Sequence, residues 1–311
     1  MLKDLCLLNG TSGDESAVRD YIISKIKDNC EYKVDALGSI IAFKKGKKRT
    51  NKKVMICAHM DEVGFIITDI TDDGYLKFAP VGGIDARIVA DRKVTINNIN
   101  GVIGLKPIHL LSSDEKEKAV SFKNLFIDIG AKDKSDAEKF VSLGDFAYFS
   151  SNYYEFGEGF IKTKAIDDRI GCMLMIELIN SDLEYDTYFC FNVQEEVGLR
   201  GSKCTSFDIQ PDISVILEST TAADLCGVTG GIGFAFWVTV LLYLLWTAEL
   251  FTIRLYIILH ERQQMIIISL HRLKLQLPAE MMQVQFKQAV REAKLLQYRF
   301  QADIFTPHQA L

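Results

Sequence analysis

The amino-acid sequence predicts an α/β domain that carries an inserted small β-barrel and ends in a tail of different composition. Short apolar runs alternate with helical segments, as they do in α/β sheets. Residues 66–160 instead contain closely spaced turns between short runs of Val and Ile. After about residue 231 the composition changes, and no glycine follows Gly233. These three observations predict the fold class and divide the chain into three parts.

The composition is that of a globular protein. The 311 residues are 48% hydrophobic and 25% charged, with a formal net charge of −5. These values exclude collagen and disordered chains, and the weak acidity argues against nucleic acid as a partner. Seven cysteines without a CxxC pair indicate reduced thiols, and the first ten residues, MLKDLCLLNG, do not form a secretory signal. We therefore expect a cytoplasmic protein.

The first predicted helix follows the segment Ser12-Gly13-Asp14-Glu15. This segment fits a capping box, in which Ser12 is the N-cap and Glu15 lies three residues later. The helix that follows places Val18, Ile22 and Ile26 on one face, which we expect to be buried.

Three apolar runs predict buried strands, because they lack the alternation of a half-exposed strand. These runs are Val54–Ala58, Asp186–Val193 and Ile213–Leu217. Residues Ile170–Ile179 predict a helix between the first two. Strands that alternate with helices indicate an α/β sheet.

Residues 66–160 predict the inserted β-barrel. Turn signals at Thr71–Gly74, Gly82–Gly83 and Asn97–Gly101 separate its short strands. The expected organisation is a discontinuous α/β domain at 1–65 and 161–230, the barrel at 66–160, and a separate tail at 231–311.

Polar clusters follow each of the three buried runs. The first run leads into His59-Met60-Asp61-Glu62, the second into Gln194-Glu195-Glu196, and the third into Glu218. A fourth cluster, Asp167-Asp168, precedes the predicted helix. Ligands of open α/β sheets bind outside the carboxyl ends of the strands, so we expect these clusters to converge at one edge.

The residue types in these clusters suit a divalent metal. Histidine with several carboxylates matches zinc, manganese or cobalt, and two metals about 3.5–4 Å apart activate water and polarise a carbonyl. Each cluster alone has an ordinary explanation: His-x-Asp and Glu-Glu are common on surfaces, and Asp167-Asp168 suits a helix start. Their coincidence at strand ends favours the metal site.

Five motifs carry a resemblance to a known family. The chain resembles the cytosolic metallo-aminopeptidases related to tetrahedral aminopeptidase and glutamyl aminopeptidase, some of which are labelled endoglucanase or cellulase. The motifs are AHMDEVGF (58–65), GVIGLKPIHLL (101–111), AIDDRIG (165–171), QEEVGLRG (194–201) and LESTTAAD (217–224). The resemblance covers about residues 1–230. It implies an α/β catalytic domain with an inserted β-barrel, peptide substrates and a homo-oligomer, a dodecameric cage.

The resemblance also implies a role for each matching residue. It implies hydrolysis of the N-terminal peptide bond with two divalent ions, zinc or cobalt, with manganese as an alternative. The bridging ligand would be Asp167 by the family's pattern, although the sequence alone leaves Asp168 open. Asp61 would orient the ligand histidine, and Glu195 would be the general base. The implied metal ligands are His59 and Glu218 for one ion, Glu196 for the other, and Asp167 for both.

The tail departs from the family. Residues 1–233 carry 28 Lys and Arg against 36 Asp and Glu, a charge of −8, whereas 234–311 carry 8 against 5, or +3. The family has a Gly-Gly-Asn-Asp-Ala segment and a fifth ligand, a histidine in a segment like Arg-Tyr-Ile-His-Thr-Pro, and neither is present. Synonymous codons for Pro278–Phe286 and Gln297–His308, read in one shifted frame, restore both segments in order. We therefore hypothesise that the chain after about Gly230 is translated out of frame.

The tail leaves a second function open. Residues 231–248, GIGFAFWVTVLLYLLWTA, are uncharged and long enough for a transmembrane helix. The alternative is a membrane-anchored or regulatory protein built on an inactive peptidase body, with 231–253 as the anchor. The shifted frame explains the same run without a membrane, so we do not expect a membrane partner. A metal-dependent glycosidase is a third option, which would need two opposed carboxylates about 5–9.5 Å apart.

Overall fold

The computed structural model describes residues 1–113, 119–157 and 160–219, and the backbone of three strands in the tail. The helices described are α1 (Leu2–Leu7), α2 (Ser16–Ile26), α3 (Lys134–Ala137), α4 (Ile166–Ile179) and α5 (Arg200–Ile209), with 3-10 turns at Ala86–Ile88, Ile108–Leu110 and Phe122–Asn124. The strands are β1 (Glu31–Val34), β2 (Ile40–Lys44), β3 (Val54–His59), β4 (Gly64–Ile70), β5 (Leu76–Val81), β6 (Lys93–Ile96), β7 (Ile99–Leu105), β8 (Leu125–Asp128), β9 (Phe146–Phe149), β10 (Tyr154–Phe156), β11 (Phe160–Lys162), β12 (Thr187–Asn192), β13 (Ile213–Glu218), β14 (Leu242–Thr247), β15 (Leu250–Ile258) and β16 (Met265–Arg272).

A mixed sheet forms the first layer of the molecule. Its eight strands lie in the order β1-β2-β12-β3-β13-β16-β15-β14, and β3 is parallel to both β12 and β13. Every residue of β3 is buried, and β12 is buried except at one position. The three apolar runs thus form strands as predicted, within one residue or two of the expected bounds.

Helix α4 packs against β3, α1 and α2, and closes one face of the sheet. It covers the predicted helix Ile170–Ile179 and begins four residues earlier. On α2, the predicted face of Val18, Ile22 and Ile26 is fully buried in the same apolar core. The core of this layer therefore lies between the sheet and these helices.

The predicted capping box before α2 is wrong. The helix begins at Ser16, and no side-chain hydrogen bond caps it. The Ser12 hydroxyl donates instead to Asp61 Oδ2 at 2.6 Å, and Glu15 Oε1 accepts from the backbone amides of Gly13 and Gln194. Both side chains thus hydrogen-bond to other groups, most of which belong to residues distant in the sequence. These hydrogen bonds replace the predicted cap of α2.

The inserted segment forms a closed barrel, as predicted, with strands in the order β4-β5-β8-β7-β6-β9. Its centre is apolar and contains Phe65, Leu76, Ile103 and Ile127. Strands β6 and β7 join through a two-residue loop, Asn97-Asn98, in which both φ angles are positive (49° and 67°). This is the pattern of a type I′ hairpin, which favours Asn over most residues because its side chain tolerates the left-handed region.

The hairpin of β10 and β11 leads from the barrel back to α4. In the tail, β14, β15 and β16 pair antiparallel and extend the sheet beside β13. Within the described ranges, no helix combines the length and the apolar character needed to cross a membrane. Of the candidate anchor 231–253, residues 242–247 and 250–253 lie in strands, and the rest lies outside the described residues.

Candidate metal centre at the edge of the parallel strands

Three parallel strands end at one edge of the sheet, and each ends in or just before a predicted polar cluster. His59 is the last residue of β3 and Glu218 the last of β13, while β12 leads directly into the turn at Gln194. The register pairs Asn192 with His59 and Ile216 with Cys57, so the three ends are level. The predicted convergence of polar clusters at this edge is therefore found.

The centre of the cluster is the imidazole of His59. This side chain is only 3% exposed; its Nε2 lies 3.1 Å from Asp167 Oδ1 and 3.6 Å from Glu218 Oε1. His59, Asp167 and Glu218 offer ligand atoms that all lie within 4.8 Å of one another. A second group with the same property contains His59, Glu195 and Glu196. One buried histidine thus joins two groups of carboxylates.

The two adjacent aspartates differ in their surroundings. The backbone is not helical at Asp167 or Asp168, although α4 spans both. Asp167 faces His59 and its side chain is 45% exposed. Asp168 is 0% exposed and accepts hydrogen bonds from the backbone amides of His59, at 3.3 Å, and Gly171, at 3.1 Å. Asp167 therefore reaches the cluster, whereas Asp168 fastens the end of β3 to α4.

Asp61 connects the histidine to the turn that carries Glu195 and Glu196. Its Oδ1 lies 3.4 Å from His59 Nδ1 and accepts a hydrogen bond from the amide of Glu195 at 3.0 Å. Its Oδ2 accepts from the amide of Glu196 at 3.1 Å and from the Ser12 hydroxyl. One carboxylate thus faces the imidazole and holds the backbone of both glutamates.

The cluster perturbs the protonation of its members. Burial disfavours the charged imidazole, but contacts with Asp167, Asp61 and Glu218 outweigh it and raise the pKa of His59 well above its ordinary value. Burial raises the pKa of Glu196 to about 7, aided by the charge of Asp167. Burial also raises the pKa of Glu218. Burial in the site therefore disfavours the ionised form of both glutamate side chains.

The donor set fits a divalent cation. Imidazole nitrogen with carboxylate oxygens is a set that zinc, manganese and cobalt accept, and a dication would offset the crowded negative charge. Buried His59 Nδ1 also makes no hydrogen bond in the described structure. The second ring nitrogen of a metal-binding histidine usually faces a carboxylate, a backbone carbonyl or a water, and Asp61 Oδ1 lies 3.4 Å from His59 Nδ1.

Residues beyond the predicted set also hold this edge together. Glu62 is buried and accepts hydrogen bonds from Lys164 Nζ at 2.7 Å and from the amide of Gly10 at 3.1 Å. Lys164 Nζ also donates to Asn9 Oδ1 at 2.9 Å. The paired acids Asp61-Glu62 directly after a buried strand were the signal for Glu62, but nothing in the sequence indicated its partners.

The model of the M42 glutamyl aminopeptidase family matches residues 38–233 of this chain. The chain belongs to the M42 glutamyl aminopeptidase family. The match includes every residue of the cluster described above, from His59 to Glu218, and ends close to the point where the composition changes.

Individual relatives agree with the family. A "Putative aminopeptidase" of Acetivibrio thermocellus is 40% identical over 227 residues, which cover 72% of this chain and 66% of that protein. Among solved structures, aminopeptidase APDkam598 from the archaeon Desulfurococcus kamchatkensis is 35% identical with a TM-score of 0.71, covering 76% of this chain and 67% of that one.

A second solved structure concerns assembly. The Pyrococcus horikoshii TET1 peptidase, described as assembling into a tetrahedron or a large octahedral shell, is 37% identical with a TM-score of 0.65, covering 74% of this chain and 71% of its own. The chain spans just under two thirds of the length of the curated relative from Acetivibrio thermocellus, at 66%.

Proposed function

We propose that this protein is a metal-dependent aminopeptidase that removes N-terminal residues from peptides. One observation carries the proposal: in a chain of the M42 family, three parallel strand ends and the start of α4 bring together His59, Asp167, Glu195, Glu196 and Glu218. One imidazole with several carboxylates is a typical set of ligands for divalent ions. It therefore favours metal-dependent hydrolysis over hydrolysis by a nucleophilic side chain.

The residues divide into ligands and supports. His59, Asp167 and Glu218 would hold one divalent ion, and Glu196, together with Asp167 as a bridge, would hold a second. Asp61 would orient His59. Bound divalent ions supply a polarised scissile carbonyl and a water of lowered pKa. Zinc or cobalt suits these ligands best, with manganese as the alternative.

Glu195 is the proposed general base. Burial raises the pKa of its carboxyl group above the ordinary value, and its backbone amide is held by Asp61. The carboxylate takes a proton from the attacking water and delivers it to the nitrogen of the leaving amine. The oxygen of that water bonds to the carbonyl carbon of the scissile peptide bond, the C–N bond breaks, and the N-terminal residue leaves as a free amino acid.

A substrate panel tests the activity. The purified chain is incubated with aminoacyl p-nitroanilides, their N-acetylated counterparts and aryl glycosides, with and without a chelator. Hydrolysis of the free-amine anilides alone, lost on chelation and restored by added metal, supports the proposal. Cleavage of acetylated peptides or glycosides instead would assign another hydrolase activity.

The tail bears on activity. The family match ends at residue 233, while the chain continues to 311. We propose that residues 231–311 are an out-of-frame tail, and that 1–65 with 161–230 and 66–160 are the catalytic and barrel domains. The second ion then lacks a histidine ligand, so the 311-residue chain should hold one metal well and hydrolyse anilides slowly.

Frame repair tests this account of the tail. Restoring the reading frame after Gly230 should raise both the metal content per chain and the rate of anilide hydrolysis. Two tightly held metals and full activity in the unrepaired chain would contradict it. No observation on the described residues favours the membrane-anchored alternative.

Assembly and location complete the proposal. The tetrahedral and octahedral shells of the TET1 peptidase support a homo-oligomer here, and a dodecamer is the expected form. We further propose a cytoplasmic location and peptides as the substrate partners, without nucleic acid or membrane. Light scattering of the purified chain measures the oligomeric state.

A further inference from the structure

The turn after β12 is held by an unusual number of carboxylate contacts. Three consecutive backbone amides donate to carboxylate oxygens: Gln194 to Glu15 at 3.1 Å, and Glu195 and Glu196 to the two oxygens of Asp61 at 3.0 and 3.1 Å. Two carboxylates therefore fix the whole turn that presents the proposed general base. Asp61 lies beside the cluster, but Glu15 comes from the N-terminal segment, far away in sequence.

The turn needs such support because its backbone is strained. Gln194 has a φ of +55°, in the left-handed region that residues with a Cβ rarely adopt. Conformations of this kind are unfavourable and persist only where the surrounding structure holds them in place. Glu15 contacts this strained residue through the hydrogen bond that the amide of Gln194 donates to Glu15 Oε1.

Glu15 is built into this position. Its side chain is buried, and the same Oε1 atom that accepts from Gln194 also accepts from the amide of Gly13 at 2.9 Å. Ser12, three residues earlier, donates to Asp61 Oδ2 at 2.6 Å. The short segment Ser12–Glu15 thus contacts both of the carboxylate supports of the turn: it supplies one and hydrogen-bonds to the other.

We propose that Glu15 is a positioning residue for the general base Glu195, acting through the backbone of Gln194. This inference rests on the proposed aminopeptidase function for its effect on rate, but its effect on the turn does not. Removing the acceptor should release Gln194 toward an unstrained φ and shift the following carboxylate. A displacement of about 1 Å in a catalytic group costs about 10²-fold in rate.

Two substitutions of Glu15 distinguish the effect of its acceptor oxygen from the effect of its side-chain volume. In the 311-residue chain, Glu15→Gln keeps an acceptor oxygen and Glu15→Leu keeps only the size. Matched controls are the same two substitutions at Glu138, which is exposed and adjoins α3 in the barrel. Circular dichroism and thermal unfolding establish that each variant is folded.

The first readout is hydrogen exchange at the amides of residues 194–196, measured by mass spectrometry on metal-free protein. Glu15→Leu should speed exchange there by about 10-fold or more, whereas Glu15→Gln and both Glu138 variants should match the parent chain. The second readout is anilide hydrolysis, in which Glu15→Leu should lower kcat about 10- to 100-fold with KM within about twofold, and Glu15→Gln should restore most of it.

The exchange and rate measurements test the positioning role of Glu15 separately from the proposed aminopeptidase function. Unchanged exchange at 194–196 in a folded Glu15→Leu variant overturns the positioning role. Faster exchange with an unchanged kcat also overturns it, because the turn would then move without affecting the base. If neither the parent chain nor its frame-repaired form hydrolyses an anilide, the proposed function fails, and the exchange measurement alone decides whether Glu15 holds the turn.

Discussion

The barrel and the edge of the sheet treat buried polar groups in opposite ways. Within the described residues, no buried polar or charged side chain falls between residues 66 and 160. All of them lie in the α/β part of the chain: Thr11, Ser12, Glu15, Ser39, His59, Asp61, Glu62, Thr163, Asp168, Arg169, Thr187, Asn192, Thr205 and Ser219. The barrel buries a purely apolar cluster around Phe65 and Ile103.

This difference predicts in which region a substitution affects the reaction rate more and in which it affects stability more. Apolar burial stabilises a fold without creating reactive groups. Burying a carboxylate costs free energy because the group loses its hydration. Buried carboxylates are therefore found mainly where they have hydrogen-bonding partners, bind a ligand or take part in a reaction. A change at the sheet edge should therefore alter rate more than stability, and a change in the barrel should do the reverse.

The largest expected effect is at the sheet edge. In a frame-repaired chain, Glu195→Gln should lower kcat by about 10²–10⁴-fold, because general base catalysis is lost while the side-chain volume is kept. Metal content, measured by mass spectrometry, should stay at the parent value. Near-normal hydrolysis would remove Glu195 from the mechanism and leave the sheet edge without its proposed base.

The converse test is in the barrel. Ile103→Ala should lower the free energy of unfolding by about 2–5 kcal/mol, because Ile103 is fully buried in the apolar cluster and a cavity would remain. In the variant that stays folded, kcat per folded chain should be unchanged. Denaturant unfolding and steady-state kinetics measure the two quantities, and Val102→Ala, at an exposed neighbour, is the control. A kcat that falls in parallel with stability would undo the division between the regions.

A smaller effect is expected at the boundary between them. The Tyr148 hydroxyl on β9 donates to Asp14 in the N-terminal segment. Tyr148→Phe should lower the free energy of unfolding by about 1.5–3 kcal/mol, the usual contribution of a hydrogen bond to a charged group. Tyr75→Phe, also in the barrel but exposed, is a control. Equal stability of the two variants would mean that this contact does not join barrel and sheet.

The smallest effect is in the hairpin loop of the barrel. Asn98→Ala should destabilise by roughly 1 kcal/mol, since alanine tolerates the positive φ of 67° less well than asparagine. Asn98→Gly should be neutral or slightly stabilising, because glycine favours this position of a type I′ turn. Thermal unfolding of both variants would show whether the loop has the assigned geometry.

Much of the fold was predictable because it depends on local patterns. The buried run Val54–Ala58 has no alternation, and such a run forms a strand covered on both faces. The barrel followed from its turn signals in the same way. The capping box at Ser12 failed because capping is decided by competition, and a hydrogen bond to a distant carboxylate displaced the local one.

The site was predictable only as far as strand ends determine it. Parallel strands bring His59 and Glu218 together whatever the loops do. The division between Asp167 and Asp168 was left open by the sequence, because it depends on backbone angles at the start of α4. The hydrogen bond from Gln194 to Glu15 joins two segments that are distant in the sequence and share no repeating pattern, so the sequence did not indicate it.

The use of three parallel strands also sets when the centre can exist during synthesis. Its residues are spread from His59 to Glu218, so a nascent chain that exposes His59 still lacks the strand that supplies the last carboxylate. At typical translation rates that interval is on the order of ten seconds. A nascent chain that ends before Glu218 therefore presents an incomplete set of ligands. Binding of the proposed metal at His59, Asp167 and Glu218 would then follow the emergence of residue 218 from the ribosome.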